Sequence, residues 1–125
     1  MILKKNLVFL GMMGSGKSSI GNLVSKKLDL EFLDIDNLIE SEQEMTISNI
    51  FKKKGEIYFR SVEERITLKS LKMTSCVISL GGGGFLNTKI RKEALGNNLT
   101  FWLSWENSIL LNRIKDSKKR PLAFN

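Results

Sequence analysis

The sequence contains no histidine, one cysteine and one proline among its 125 residues. Without an imidazole, every catalytic mechanism that depends on a histidine base is excluded. The single cysteine, Cys76, excludes an internal disulfide and, with histidine absent, a four-ligand zinc site. We interpret Cys76 as a small buried apolar residue before a strand and expect a cytoplasmic protein. No run of 18 apolar residues occurs, so the sequence predicts neither a membrane span nor a membrane partner.

The composition is that of one basic globular domain. Hydrophobic residues make up 42% of the chain, and 20 lysines and arginines outnumber 13 acids to give a net charge of +7. This balance suits anionic partners, among them nucleic acids and phosphorylated small molecules. The basic residues are scattered, and they are not interleaved with aromatics as in single-strand binders. We therefore expect no nucleic-acid partner, with a salt-sensitive nucleic-acid binder as the alternative.

Predicted strands and helices alternate along the chain. Short apolar runs predict strands at Leu7–Leu10, Phe32–Asp36, Cys76–Leu80 and Leu99–Leu103. Helical spacing predicts helices at Lys17–Leu28, from Glu56 to about Leu71, from the cap Asn87 to Leu95 before Gly96, and around Ile109–Ser117. Between the first two of these, one or two short helices are predicted through Leu38, Ile39, Ile47, Ile50 and Phe51, with Thr46 as an N-cap and Gly55 as the stop. This alternation indicates a parallel sheet with helices on both faces, and such sheets bind ligands beyond the carboxyl ends of their strands.

The segment from Gly11 to Ser18 fits the pattern G-x-x-x-x-G-K-[ST] between a predicted strand and a predicted helix. Glycines allow the backbone N–H groups to wrap around phosphate oxygens, Lys17 can reach the β- and γ-phosphates, and the Ser18 hydroxyl can bind Mg²⁺. The motif predicts a nucleoside-triphosphate site; the alternative is a glycine-rich turn carrying a surface lysine.

Two acids, Asp34 and Asp36, stand where the second strand is expected to end, on one side of it by the period of two. One can hold Mg²⁺ through a water, and the other can accept a proton from, or orient, a substrate hydroxyl. The alternative is a capping role, with Asp36 as the N-cap of a helix over residues 37–42.

Arg60 and the glycine run Gly81–Gly84 are further candidates for substrate contacts. An arginine can clamp a carboxylate with two parallel hydrogen bonds, although Arg60 can also pair with Glu56 or Glu64 on the helix surface. Consecutive glycines after a strand allow close approach of a ligand to bare N–H groups, whereas a flexible connection is the alternative.

A basic segment comprising Arg113 and Lys118–Arg120 lies on and after the last predicted helix. Such a segment can close over a triphosphate and stabilise charge in the transition state. The alternative is a solvated basic tail.

Taken together, these motifs make the chain resemble shikimate kinase along essentially its whole length. The matching stretches, in order, are G-M-M-G-S-G-K-S, L-D-I-D-N-L-I-E, I-F-K-K-K-G-E-I-Y-F-R-S-V-E, L-G-G-G and L-L-N-R-I-K-D-S-K-K-R-P-L. The resemblance implies a three-layer P-loop kinase fold with a central parallel sheet, four strands here and five in the family. It also implies ATP-dependent phosphorylation of the 3-hydroxyl of shikimate, in the pathway to chorismate and aromatic amino acids, by a monomer that uses ATP and Mg²⁺.

The resemblance assigns a role to each matching residue. Ser18 and Asp34 would serve the metal, and Asp36 would bind shikimate hydroxyls and act as the base or orienter. Arg60 would hold the shikimate carboxylate, and the glycine turn would contact shikimate through its backbone at Gly81, Gly82 and Gly83. The residues implied at the nucleotide are Gly14, Ser15, Gly16, Lys17, Ser18, Ser19 and Arg120, with Lys17 and Arg120 also catalytic.

The chain departs from the family at its carboxyl end. Members usually continue past R-P-L with the rest of the lid, a second arginine for the shikimate carboxylate, a fifth strand, a terminal helix and an adenine-contacting loop. We therefore expect residues 1–125 to form a single kinase domain, C-terminally incomplete relative to the family, with an exposed sheet edge near Leu99–Leu103. The alternatives are an impaired or non-catalytic ATP-binding module and a related kinase acting on gluconate or a nucleoside monophosphate.

Overall fold

The computed structural model describes residues 5–11, 17–80 and 83–103, which form strands alternating with helices. The elements in chain order are β1 (Leu7–Gly11), α1 (Lys17–Leu28), β2 (Glu31–Asp34), α2 (Ile35–Gln43), α3 (Ile47–Lys54), α4 (Glu56–Leu71), β3 (Cys76–Ser79), a short 3₁₀ helix (Gly84–Leu86), α5 (Thr88–Asn97) and β4 (Leu99–Leu103). Across these ranges, no helix has the length and apolar character that a membrane crossing requires. The helix predicted around Ile109–Ser117 lies outside the described residues.

The four strands form one parallel sheet in the order β2-β3-β1-β4. The predicted parallel α/β fold with four strands is thus confirmed. β1 lies between β3 and β4, with Phe9 opposite Ser79 on one side and Phe101 on the other. β4 is the outer strand of the described sheet, as predicted, and its Leu99 and Phe101 side chains are about half exposed.

Alternation along the strands divides the core between two faces of the sheet. On one face, Phe9 and Val77 pack with Ile20 and Val24 of α1. The opposite face is covered by α2, α3, α4 and α5, whose buried side chains meet the alternate residues of β1 and β3: Val8, Leu10, Ile35, Ile39, Ile50, Phe59, Val62, Ile66, Ile78, Leu80, Ile90 and Ala94. The result is the three-layer arrangement that places helices on both faces, as predicted.

Two helix boundaries differ from the prediction. The second strand ends at Asp34, and α2 begins at Ile35, because the Asp34 side chain caps the helix. Asp34 and Asp36 therefore do not lie on one side of a strand. α5 does not end before Gly96 but runs through it to Asn97, and Asn98 donates through its side chain to the Glu93 carbonyl at 3.0 Å.

Several smaller predictions are confirmed. α1 spans Lys17–Leu28 as expected, Thr46 caps α3 by accepting from the Asn49 N–H, and Gly55 ends α3 at a φ of 88°. A positive φ of this kind favours glycine. Cys76 is buried at the start of β3, and its burial raises the pKa of the thiol.

The amino ends of the strands are joined by the fully buried side chain of Asn6. Its Nδ2 donates to the carbonyls of Leu71 and Met73 at 3.1 and 2.7 Å and to Oδ1 of Asn98 at 2.9 Å. Its Oδ1 accepts from the Cys76 N–H at 3.0 Å. One amide thereby ties the end of α4 and the starts of β3 and β4 to the start of β1.

Candidate active site

The carboxyl ends of β1, β2 and β3 form one edge of the sheet, and the predicted functional residues that the structure describes lie along it. Asp34, the last residue of β2, lies opposite Ser79, the last residue of β3, and Ser79 lies opposite Phe9 of β1. The loop predicted to bind phosphate follows Gly11, at the end of β1, and leads to the first turn of α1. Parallel α/β sheets bind ligands at such an edge.

Asp34 fixes the amino end of α2. Its backbone is extended, and its Oδ1 accepts hydrogen bonds from the N–H groups of Asp36 at 3.1 Å and Asn37 at 3.5 Å. The alternative of a capping role is therefore confirmed for Asp34 and wrong for Asp36, which is not the N-cap. Asp36 instead occupies the first turn of α2, so both carboxylates stand at the helix start beside the edge, where the helix dipole favours negative charge.

Arg60 is held by a carboxylate on its own helix. Its Nη1 donates to Oε1 of Glu63 at 2.9 Å, and the guanidinium lies 5.3 Å from the ring centroid of Phe59. The Arg60 side chain is 41% exposed, whereas that of Glu63 is 3% exposed. A buried carboxylate needs a paired charge, and here that pairing restrains the direction of the Arg60 guanidinium.

The partner of Arg60 is therefore neither Glu56 nor Glu64. Glu64 instead faces α5, where Asn87 donates to it at 3.2 Å and Lys89 lies 3.5 Å away. Glu63 is a site residue that the sequence reasoning missed. The available signal was the three-residue spacing in F-R-x-x-E, since residues three apart on a helix are neighbours.

The glycine turn after β3 packs directly on this arginine. A Cβ atom built on Gly83 would lie 2.7 Å from Nη1, 2.9 Å from Nη2 and 3.1 Å from Cζ of Arg60. A Cβ on Gly84 would meet Oε2 of Glu63 at 3.7 Å, an ordinary contact. Any side chain at position 83 would therefore have to displace the Arg60 guanidinium, and the structure brings Arg60 and Gly83 together as parts of one surface.

The remaining predicted site residues are outside the description, either wholly or in their side chains. Gly14, Ser15, Gly16, Gly81, Gly82 and Arg120 lie outside the described residues, as do Arg113, Lys118 and Lys119 of the basic segment. Lys17, Ser18 and Ser19 form the first turn of α1, and their side chains are also outside the description.

The carboxylates of the described residues bear on where a metal ion could be held. Within residues 5–11, 17–80 and 83–103, no group of three or more histidine, cysteine or acidic side chains is arranged to enclose a metal. Mg²⁺ is commonly bound by one or two carboxylates together with substrate phosphates, while it keeps several waters. Asp34 at the sheet edge is a carboxylate in a position to serve such an ion.

Comparison with known proteins gives a consistent result. The family model described as "Shikimate kinase" matches residues 13–125. The shikimate kinase of Mesorhizobium japonicum is 39% identical over 118 residues, which are 94% of this chain and 58% of that protein. The shikimate kinase of Rhizobium meliloti is 40% identical over 119 residues, 95% of this chain and 62% of that protein. The chain thus spans 58% and 62% of the length of these curated relatives.

A solved structure shows the same architecture. The shikimate kinase from Acinetobacter baumannii in complex with shikimate superimposes with a TM-score of 0.79 at 30% identity, covering 97% of this chain and 68% of that one.

Proposed function

Because the chain belongs to the shikimate kinase family, we propose that its protein transfers the γ-phosphoryl group of ATP to the 3-hydroxyl of shikimate. This reaction belongs to the route to chorismate and the aromatic amino acids. It needs little covalent participation by the enzyme, because phosphoryl transfer depends mainly on positioning and on stabilising negative charge. The absence of histidine is therefore compatible with it.

The observation that carries this proposal is the Arg60 assembly. A guanidinium that pairs with a buried carboxylate and packs closely against a glycine is restricted in direction. Its planar fork can then receive a carboxylate with two parallel hydrogen bonds. A small carboxylated acceptor such as shikimate fits this chemistry. Gluconate also carries a carboxylate, so it is tested beside shikimate, together with the nucleoside monophosphates.

The other residues take roles around the transferred group. The backbone of Gly81, Gly82 and Gly83 would contact shikimate, and the Asp36 carboxylate would orient the 3-hydroxyl and accept its proton. As the new phosphorus–oxygen bond forms, the bond to the β-phosphate oxygen of ATP breaks and ADP leaves. Lys17 and Arg120 would stabilise charge on the phosphates, while the loop residues Gly14, Ser15, Gly16, Ser18 and Ser19 would cradle them.

We propose that Mg²⁺ is bound together with the nucleotide. Ser18 and Asp34 would hold it, with Asp34 acting from the end of β2. When bound, the ion supplies neutralisation of the charge on the phosphate oxygens.

We further propose that residues 1–125 act as one domain and that the protein is a cytoplasmic monomer. The single sheet with helices on both faces supports the domain assignment. The monomer and the location rest on the resemblance and on the cysteine content alone.

The function is tested by measuring ADP release from ATP and Mg²⁺ with and without shikimate. We expect release that depends on shikimate and is not supported by gluconate or nucleoside monophosphates. Nucleotide binding without shikimate-dependent ADP release would instead favour an ATP-binding module without catalytic activity. Release with another acceptor would identify a related kinase.

The substrate role of Arg60 is tested in the same assay. Arg60→Ala should raise the KM for shikimate by at least tenfold, since hydrogen bonds to a charged group contribute about 1.5–3 kcal/mol, while the KM for ATP changes little. The control is Arg91→Ala, on the exposed surface of α5, which should alter neither constant. Equal weakening of both substrates by Arg60→Ala would refute the proposed clamp.

A further inference from the structure

The ion pair between Arg60 and Glu63 places a negative charge beside the proposed carboxylate site. Nη1 of Arg60 donates to Oε1 of Glu63 at 2.9 Å, and the Glu63 side chain is only 3% exposed. The turn after β3 lies against the same carboxylate, since a Cβ atom on Gly84 would lie 3.7 Å from its Oε2. The charge of Glu63 is therefore held next to the guanidinium, where salt and water screen it less than they screen a surface charge.

The guanidinium of Arg60 can bind a second anion while Glu63 stays in place. A contrast is given by Arg65 on the same helix, which donates from both of its terminal nitrogens to the two carboxylate oxygens of Glu42. Within the described residues, the bond of Arg60 to Glu63 uses one terminal nitrogen, Nη1. Because a guanidinium has five N–H donors in a fixed plane, this bond leaves donors for a ligand.

The charges around this guanidinium determine which ligand suits it. The positive charge of Arg60 is already matched by the negative charge of Glu63, so the pair is neutral before a ligand binds. Two anions that share one guanidinium lie about 6 Å apart, which is less than the Debye length of about 8 Å at physiological ionic strength. A ligand with two negative charges is therefore repelled by Glu63 more strongly than a ligand with one.

We infer that Glu63 makes the Arg60 site selective for acceptors with a singly charged anionic group, such as a carboxylate, over acceptors with a doubly charged group, such as a phosphate. This inference rests on the proposed function and deepens it, because Arg60 supplies the attraction and Glu63 supplies the discrimination between charges. It gives a physical reason why a nucleoside monophosphate, whose phosphate carries close to two charges at neutral pH, should be a poor acceptor here.

The test uses shikimate and two analogues of it in which a sulfonate or a phosphonate replaces the carboxylate. Both replacement groups are tetrahedral, but at about pH 8.5 the sulfonate carries one charge and the phosphonate carries two. Affinities for the unaltered protein, Glu63→Gln and the control Glu64→Gln are measured by calorimetry. A saturating, non-hydrolysable ATP analogue is present, so that the phosphonate does not bind in the nucleotide site.

We expect the unaltered protein to bind the phosphonate at least tenfold more weakly than the sulfonate. Glutamine keeps an acceptor oxygen and removes the charge, so Glu63→Gln should raise the ratio of phosphonate to sulfonate affinity by about tenfold. Glu64→Gln removes a charge from the same helix but should leave the ratio unchanged, because Glu64 pairs with Asn87 and Lys89.

Two results would overturn the inference. One is an unchanged ratio in Glu63→Gln, including the case in which all three ligands bind equally more weakly, because Glu63 would then only position Arg60. The other needs no variant and applies even if Glu63→Gln does not fold: the unaltered protein binds the phosphonate as tightly as the sulfonate.

Release of ADP that depends on shikimate tests the proposed function separately. Such release together with an unchanged ratio would leave the proposed function intact and remove only the discriminating role of Glu63. Failure of shikimate to bind the unaltered protein would overturn the Arg60 site itself, and the role of Glu63 with it.

Discussion

At the scale of single residues, the site depends on one ion pair with unequal burial. Glu63 is almost fully buried and Arg60 is partly exposed. Removing water from a carboxylate is costly, and that cost is offset only while the guanidinium stays in place. The pair therefore restrains Arg60 more strongly than two exposed side chains would restrain each other. A carboxylate ligand meets a guanidinium that is already oriented, so less conformational entropy is lost on binding.

Gly83 gives a direct test of that orientation. Gly83→Ala places a methyl group within 3 Å of the Arg60 guanidinium, and because the neighbour is the end of a flexible side chain, the arginine should move while the fold persists. The backbone of Gly83, at φ −104° and ψ −1°, is allowed for alanine. We expect a KM for shikimate raised about tenfold and a lowered melting temperature, because the displaced guanidinium pairs less well with the buried Glu63 carboxylate.

Gly96→Ala is the matched control, since a Cβ there meets no atom within 4 Å and the position is helical. It should stabilise the protein by about 0.5–1 kcal/mol and leave the KM unchanged. An unaltered KM in Gly83→Ala would show that the contact with Arg60 has no part in binding.

The sequence allowed Arg60 and Gly83 to be chosen as candidates, but it did not show that they touch. Their contact depends on where the turn after β3 passes over α4, which is set by packing between distant segments. The partner of Arg60 was also missed, because spacings of three and four residues are both possible on a helix. Burial of Glu63 decided between them.

At the scale of elements, α2 and α4 are bridged by a two-point ion pair on the protein surface. Arg65 donates from Nη1 and Nη2 to the two carboxylate oxygens of Glu42, at 2.7 and 2.5 Å. The next residue, Gln43, accepts from the Tyr58 hydroxyl at 2.8 Å. α2 begins with Asp36 and α4 carries Arg60, so this bridge joins the two helices that hold the proposed substrate contacts.

The bridge predicts a dependence of stability on pH. Hydrogen bonds from Arg65, and then from Gln43, lower the pKa of Glu42 from 4.5 to about 2. Because the folded pKa lies below the ordinary value, the unfolded chain binds more protons in this interval. The contribution is therefore complete above pH 4.5 and is lost as the pH falls towards 2.

Thermal unfolding of the unaltered chain, Glu42→Gln, Arg65→Gln and the double variant across this range is the measurement. The melting temperature of the unaltered chain should exceed that of Glu42→Gln only slightly, because the side chains of Glu42 and Arg65 are both exposed. This difference should vanish as the pH falls towards 2. The double variant should lose no more than either single variant. Parallel pH curves for all four proteins would contradict the assignment.

Most elements were predictable because their signals are local. Thr46 and Gly55 marked the ends of α3, and the apolar runs marked the strands. The boundary between β2 and α2 was misplaced because the D-I-D sequence alternates like a strand, while a hydrogen bond from the Asp34 side chain starts a helix at Ile35. Gly96 was misread as a stop, although the end of α5 is fixed by Asn98.

At the scale of the whole molecule, a buried hydrogen-bond network around Asn6 lies at the end of the sheet opposite the site. The Asn6 amide bonds Leu71, Cys76 and Asn98, which lie 65, 70 and 92 residues away from it in the sequence. Nothing in the sequence around Asn6 indicated this role, because its partners are brought together only by the completed sheet. Composition and periodicity predict a parallel sheet, but they do not predict which polar side chain links the starts of its strands.

Asn6→Ala should lower the free energy of unfolding by about 2–4 kcal/mol, since it leaves several buried donors and acceptors unpaired. Urea unfolding measures the loss. Asn97→Ala is the control, because Asn97 is exposed and bonds the neighbouring Glu93 at 3.2 Å, and it should change stability by less than about 0.5 kcal/mol. An equal free energy of unfolding for Asn6→Ala and the unaltered chain would contradict the stabilising role of the Asn6 hydrogen bonds.

Asn6 lies at one end of the strands, whereas Arg60, Gly83 and Asp36 lie at the other. This separation affects how the sequence of such a chain can change in evolution. Substitutions that adapt the carboxyl edge to a different acceptor are made far from the amide that ties the strand starts together. The effects of substitutions at distant sites on the free energy of unfolding usually add. A lineage built on this framework can therefore explore new acceptor specificities while its capacity to fold is inherited almost unchanged.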